Sequence, residues 1–357
     1  MNLSNTNIIQ EFLNNFNYPK RDEYEWKVIS IGNKRNVFMG IYIQNRIIRI
    51  FVKQIKLFYD AYINNNFEIN LILKEIYFLV LLNKSKYFVK LNKMLLSDDK
   101  KMVFLIFEDL NISLNKFIYS PLSNISNYNR LIKYLIYQIT FGLYVLHCNN
   151  IFHNDLKLSN ILINENKIIS ICDFGSATSN NENIYDYTLH YAPPEFLLYD
   201  EIKSSDKSDM WSLGVIIMEL FLKKNNFRNN VQENNKEKQI KFILSKFGLN
   251  GNFSNNEINN YLNQKYIIKL KEEDKVKIDR DALDLIENLL VLNPNERYSA
   301  KQVLHSNYLK IYKDEDSFNL KKLNSSIDYN NFKDNIDENK FITIFNALDS
   351  KLNELNN

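Results

Sequence analysis

Cysteine is almost absent. The two residues present, Cys148 and Cys172, cannot build a disulfide framework or a metal cluster, which suits a reducing interior. Net charge is also small, +3, and no basic stripe with interleaved aromatics occurs, so nucleic acid is not indicated as a partner. Long apolar runs are missing too: the longest candidate, LGVIIMELFL, is half the roughly 20 residues that a membrane span needs. The first residues, MNLSNTNIIQEF, lack a basic region followed by an apolar run, so no signal peptide is expected. Glycine and proline are scarce, 7 and 5 in 357 residues, while Asn, Ile and Lys are heavily used. Where glycine is so rare, each one left is expected to serve a backbone need. The expectation is a soluble intracellular protein, cytoplasmic or nuclear, without a membrane span.

What is present is enough for a large core. A chain of 357 residues with 45% hydrophobic side chains suits one two-lobed unit or two domains. Residues 26–56 read as strands: VFMGIYI and RIIRIFVKQI are short β-branched and aromatic runs, separated by a turn at Gln44-Asn45. FEINLILKEIYFLVLL (67–82) has helical length and is too apolar for a one-sided helix. A strand pair follows, YFVKLNKML and KMVFLIFEDL, joined by SDDK. Beyond about residue 110 the character turns helical. Leu131, Leu135, Ile139, Leu143 and Leu146 recur at helical spacing, MWSLGVIIMELFL is apolar all round, and DALDLIENLLVL is an amphipathic helix stopped at Asn293-Pro294. KKNNFRNNVQENNKEK (223–238) and GNFSNNEINNYLNQ (251–264) read as solvated loops. In the tail, Phe341, Phe345, Leu348, Leu352 and Leu355 line one helical face.

One stretch raises a chemical question. IFHNDLKLSNILI (151–163) places His153, Asp155, Lys157 and Asn160 among apolar residues that look buried. Desolvated charges are costly unless paired, so partners must come from elsewhere in the chain or from a ligand. Farther on, CDFGSA carries Asp173, Phe174 and Gly175; YAPPE ends at Glu195; SDMWSLG carries Asp209, Trp211 and Gly214; and NPNERYSAKQVLHSNYL carries Arg297.

In this order the motifs resemble eukaryotic protein kinases of the Ser/Thr type, whose signatures include H-R-D-L-x-x-x-N, D-F-G and A-P-E. The resemblance covers about residues 26–310 and is nearest the group holding cyclin-dependent, MAP and glycogen-synthase kinases, to which DFGSA and the insertion near 223–280 also point. It implies an α+β, two-lobed fold: a small antiparallel sheet lobe with one main helix (about 23–109) and a larger, mainly helical lobe (about 110–310). Residues 1–22 stand as an N-terminal extension, and residues 311–357 as a C-terminal tail with an amphipathic helix.

The resemblance also implies roles, with ATP and Mg²⁺ as cofactors and a protein Ser/Thr hydroxyl as acceptor. Asp155 would accept the hydroxyl proton, Lys157 meet the γ-phosphate, and Asn160 and Asp173 hold metal. Lys53 would grip the α- and β-phosphates, oriented by Glu75, for which Glu68 is a rival position. Ile31, Gly32, Met39, Phe51 and Leu162 would line the nucleotide pocket, with Phe107 at its back and Glu108 and Leu110 offering backbone hydrogen bonds to adenine. Leu79, Leu91, His153 and Phe174 fall where such kinases stack a hydrophobic spine, which gives His153 a packing role. Glu195 and Arg297 are a predicted buried ion pair, and Asp209 opens the core helix.

The chain departs from this pattern in several places. The phosphate loop IGNKRNVFM keeps only Gly32, with Lys34 and Val37 in the later glycine places; Lys34 or Arg35 is expected to compensate by charge. Phe51 stands where alanine is favoured and would narrow the pocket. Asn154 replaces the arginine of H-R-D, which in regulated kinases pairs with a phosphate on the activation segment. Activity is therefore expected not to depend on phosphorylation of Thr178, Ser179, Tyr185 or Tyr187. Thr188 fits the Ser/Thr pattern, whereas Ala192 stands where the proline-directed group keeps an arginine. No cyclin-binding signature surrounds Glu75, and the sequence identifies no regulatory subunit. The first reading is an active Mg²⁺-ATP-dependent kinase. The second is a pseudokinase, a binding or scaffolding module. A small-molecule kinase is a third, which Glu195, Arg297 and DMWSLG argue against.

Overall fold

A computed structural model describes residues 3–31, 35–44, 49–57, 66–108, 112–124, 126–179, 182–199, 201–228, 235–312 and 336–356. In chain order, α1 (Leu3–Asn15) precedes strands β1 (Tyr24–Ile31), β2 (Arg35–Tyr42) and β3 (Arg49–Lys56). Helix α2 (Asn66–Leu82) and strands β4 (Leu91–Leu96) and β5 (Met102–Glu108) follow. Next come β6 (Ile112–Ser113), α3 (Leu114–Ile118), α4 (Tyr128–Cys148), β7 (Ile151–Phe152), β8 (Ile161–Ile163), β9 (Ile169–Ile171) and β10 (Thr178–Ser179). The rest is helical: α5 (Pro194–Leu198), α6 (Asp206–Leu222), α7 (Lys236–Lys246), α8 (Asn255–Leu262), α9 (Glu272–Lys275), α10 (Arg280–Leu289), α11 (Ala300–Leu304) and α12 (Glu338–Asn356). The chain divides into a small unit, Met1–Asn111 with Leu323–Asn357, and a large unit, Ile112–Lys322. The fold class is α+β, with the antiparallel sheet in the first unit and the helices concentrated in the second.

In the small unit the sheet runs β1-β2-β3-β5-β4, all neighbours antiparallel. Because side chains alternate across a strand, the register sorts them into two faces. Phe38, Val52 and Ile106 form one cross-strand row, with Trp26, Ile50 and Phe104 on the same side. Helix α1 covers this face: Phe12 stacks on Phe38 at 4.0 Å between ring centroids and meets Trp26 edge-on at 5.1 Å. Phe16 packs beside it against Trp26 and Phe104. Gly40 shows the backbone need expected of a rare glycine, since a Cβ there would lie 3.0 Å from the Trp26 ring.

Helix α2 buries Ile69, Ile72, Leu73, Ile76, Phe78 and Leu79, as its apolar density predicts. Part of its cover comes from the far end of the chain. Helix α12 packs against α2 and β4, burying Phe341, Ile344, Phe345, Leu348 and Leu352. Asn356 closes the arrangement: its Oδ1 accepts from Asn83 Nδ2 at 2.8 Å, and its Nδ2 donates to the Asn92 carbonyl at 2.8 Å. Both terminal segments, read from the sequence as an extension and a tail, thus supply helices to the small unit's core.

The large unit is built round α4 and α6. Helix α4 is long and apolar enough to cross a membrane by length and composition, a longer candidate than the LGVIIMELFL singled out in the sequence. Its apolar window is 67% buried inside the large unit, as for a core helix. Helix α6 is buried on every side; at Gly214 a Cβ would come within 2.8 Å of Leu290, so glycine permits the close approach of α10.

Two segments read as solvated loops are not so throughout. Within 251–264 the chain forms α8, started by a capping box in which Ser254 and Glu257 satisfy each other's backbone N–H groups. Ile258 and Leu262, one turn apart, are buried. In 223–238, Phe227 is buried against the Trp211 ring at 5.6 Å, and α7 already begins at Lys236.

Candidate active site

The apolar residues of the 151–163 stretch explain its polar ones. Leu156, Leu158 and Ile161 are 0% exposed and pin the loop, while the neighbouring Asp155 and Lys157 remain half-buried. The loop's entry is held by Asp209, in the first turn of α6, which is fully buried. Asp209 Oδ2 accepts the backbone N–H of His153 at 2.9 Å and lies 2.9 Å from His147 Nε2; its Oδ1 accepts the N–H of Asn154 at 2.9 Å. A buried carboxylate carrying this many donors is satisfied in place, and it fixes the backbone that presents Asp155.

Around Asp155 a closed set of hydrogen bonds forms. Lys157 Nζ donates to Asp155 Oδ2 at 2.6 Å and to Thr188 Oγ1 at 2.7 Å, and the Thr188 hydroxyl donates to Asp155 Oδ1 at 2.6 Å. Asn160 Nδ2 donates to the Asp155 carbonyl at 2.9 Å and reaches Oδ2 at 3.3 Å. The carboxylate is oriented by three side chains and keeps lone pairs beyond those they use. The arrangement can accept a proton from a hydroxyl placed beside it.

Asp173 has left-handed backbone angles, φ 65° and ψ 74°, and its side chain is exposed. Next to it, Phe174 is buried with its ring 5.3 Å from that of His153. His153 Nε2 lies 3.0 Å from the Cys172 carbonyl, so the histidine is tied into packing and backbone.

Would a hard cation suit these donors? Mg²⁺ takes oxygen ligands, commonly one or two carboxylates with substrate phosphates and water. Among the described residues no group of three or more His, Cys, Asp or Glu gathers. Asp173 offers one carboxylate. Asn160, whose Nδ2 is committed to Asp155, has Oδ1 as its acceptor atom. That donor set fits an ion completing its shell with phosphate oxygens.

In the small unit, Lys53 sits on β3 opposite Val37 and Leu105, and its Nζ pairs with Glu75 Oε1. Glu75 is 2% exposed. Its Oε2 is buried without a hydrogen bond; the Arg35 guanidinium approaches it to 3.8 Å. Met39, Phe51 and Phe107 form a cross-strand row on the same face as Lys53. Ile31 does not join that row. The register shifts between Val28 and Ser30, which reverses the alternation and pairs Ile31 with Asn36. Gly32, Lys34 and Leu110 lie outside the described residues, as does the side chain of Glu108. Leu162, half-buried on β8, pairs with Ser113 and Ser170.

Away from Asp155, Arg297 forms a two-pronged ion pair with Glu195, 2.7 Å on each arm, and its remaining N–H groups reach the carbonyls of Val291, Leu292 and Lys207. The guanidinium also lies 4.9 Å from the Trp211 ring centroid. Another buried carboxylate, Glu219, was not singled out in the sequence. It accepts from the hydroxyls of Tyr119 at 2.7 Å and Tyr191 at 2.6 Å, and burial pushes its carboxyl above the usual range. Burial, reinforced by Glu219, likewise raises the Tyr191 phenol.

The protein kinase domain family matches residues 28–309. Mitogen-activated protein kinase sty1 of Schizosaccharomyces pombe is 34% identical over 194 residues, covering 52% of this chain and 54% of that protein. Mitogen-activated protein kinase 13 of Arabidopsis thaliana is 30% identical over 220 residues, 58% of each chain. Mitogen-activated protein kinase 15 of Xenopus laevis is 27% identical over 278 residues, 71% of this chain and 45% of that protein. The chain spans about half the length of the curated relatives it matches.

Proposed function

The chain belongs to the protein kinase family, and from that premise we propose that it is an active serine/threonine protein kinase. It transfers the γ-phosphate of Mg²⁺-ATP to Ser or Thr hydroxyls of protein substrates, in the cytoplasm or nucleus. The observation that carries the reading is the Asp155–Lys157–Thr188 set, closed at 2.6–2.7 Å on all three sides.

In the proposed reaction the substrate hydroxyl oxygen bonds to the γ-phosphorus, the bond to the ADP oxygen breaks, and the hydroxyl proton passes to Asp155. Lys157 and Thr188 hold that carboxylate and prevent it from turning away. Lys157 also places a positive charge where negative charge gathers on the transferring group. Lys53, oriented by Glu75, binds the nucleotide's phosphates. Asn160 and Asp173 would hold Mg²⁺, which neutralises phosphate charge when bound.

The test is phosphate transfer from Mg²⁺-ATP to a generic basic protein and to the chain itself. Asp155→Ala should lower kcat by about 10²–10⁴-fold while the melting temperature stays near that of wild type. Absence of transfer by the wild-type chain, with Mg²⁺-ATP still raising its melting temperature, would overturn the proposal in favour of a nucleotide-binding scaffold.

A further inference from the structure

Asn154 replaces a charged residue, yet it is not a gap in the site. Its backbone is left-handed (φ 61°), a conformation that asparagine tolerates, and its side chain is buried. The Nδ2 amide lies 2.9 Å from the Ser176 carbonyl, 2.8 Å from Thr178 Oγ1 and 3.2 Å from the Phe152 carbonyl. The first two acceptors belong to the segment that follows Asp173. That segment then enters β10, which pairs Thr178 with Phe152 and Ser179 with Ile151.

Farther along, neutral hydrogen bonds add to the hold on the same segment. Ser204 Oγ donates to the Ser179 carbonyl at 2.9 Å, the Ile184 N–H to the Ile202 carbonyl at 2.9 Å, and the Tyr187 hydroxyl to the Phe196 carbonyl at 3.0 Å. Thr178, a hydroxyl on which phosphorylation could act, is itself 5% exposed and bonded to Asn154.

We propose that Asn154 is a positioning residue: an uncharged amide latch that holds the segment behind Asp173 in its working arrangement without any phosphate. An arginine at a buried position needs a counter-charge, and a phosphate added to the segment supplies one. An amide needs no counter-charge: its Nδ2 donates to Ser176 and Thr178 in the unmodified chain, while its Oδ1 is buried without a hydrogen bond among the described residues. The inference rests on the kinase reading above and adds that the enzyme is constitutive with respect to this segment.

The closing experiment compares the wild-type chain with Asn154→Asp, which keeps the shape and the left-handed tolerance but loses both amide donors. Phosphatase treatment, checked by mass spectrometry, should leave wild-type transfer unchanged. Asn154→Asp should lower kcat roughly tenfold, the equivalent of one buried hydrogen bond, with KM for ATP within about twofold. Thr178→Val should cost less, and the double variant no more than Asn154→Asp alone, because the two residues share one contact. Loss of wild-type activity on dephosphorylation, or full kcat in Asn154→Asp, would overturn the latch. Hydrogen exchange at residues 176–179 separates this from failure of the kinase reading. If no variant transfers phosphate, faster exchange in Asn154→Asp still supports the latch, and unchanged exchange overturns it.

Discussion

The polar groups of the candidate site are held in different ways in the two units. In the large unit two of them are cross-tied: Asp155 by Lys157, Asn160 and Thr188, with its preceding backbone held by Asp209, and Glu195 by both arms of Arg297. In the small unit, among the described residues, Glu75 has one hydrogen-bonded partner, Lys53, on one oxygen, while the other oxygen is buried with Arg35 at 3.8 Å. The departures from the family pattern divide differently, with the missing glycines and Phe51 in the small unit and Asn154 and Ala192 in the large one. Groups that orient reacting atoms must be rigid beforehand, because misplacement costs rate directly. Groups that grip a polyanion can be completed by the polyanion, so local change is better tolerated there.

Three measurements test that contrast. The largest effect is expected from Arg297→Ala, which leaves Glu195 without its partner and opens a void beside Trp211. Removing one member of a buried ion pair costs about 3–5 kcal/mol, to be read by denaturant unfolding; a loss below about 1 kcal/mol would mean that the large unit's cross-ties are ornamental. A smaller effect is expected from Arg35→Gln. If the guanidinium compensates by charge for the missing phosphate-loop glycines, ATP should bind about fivefold more weakly, for a contact worth about 1 kcal/mol, and adenosine equally well. Equal ATP affinity in titration calorimetry would remove Arg35 from that role. The smallest concerns His190, whose imidazole is held below its ordinary 6.5 by burial and then by the charge of Arg228. Between the lowered value and 6.5 the unfolded chain binds more protons, so stability rises with pH across that window and falls as pH drops through it. His190→Gln should flatten that slope in melting temperature; an unchanged slope would assign the acid sensitivity elsewhere.

Much of the candidate site was legible because the chemistry proposed for it demands particular residue types at fixed spacings. Asp155, Asn160 and Asp173 can be picked out along the chain before any contact is known. Asn154 was legible only as an absence. That its amide meets Ser176 and Thr178 depends on how β7 and β10 pair, and no local pattern announces it. Helix α8 was hidden for another reason. Its Asn-rich composition reads as loop, although S-N-N-E followed by Ile258 and Leu262 carries both a capping box and an apolar stripe. Composition outweighed pattern there, as it did for Phe227. The reversal at Ile31 could not have been read at all, because a register shift leaves no mark in β1 itself.

The order in which the chain is made gives the last helix a consequence of its own. The small unit takes its strands from the beginning of the chain and α12 from its end, with the whole of Ile112–Lys322 in between. At about 5–20 residues per second, a ribosome spends on the order of ten to forty seconds on that interval. Throughout it, the faces of α2 and β4 that α12 will cover have no cover from this chain. A product that stops after Lys322 carries Lys53, Glu75, Asp155 and Asp173, yet lacks the helix that packs on α2, which bears Glu75. Translation through α12 is thereby coupled to assembly of the small unit, and chains that stop before it are left unfinished there.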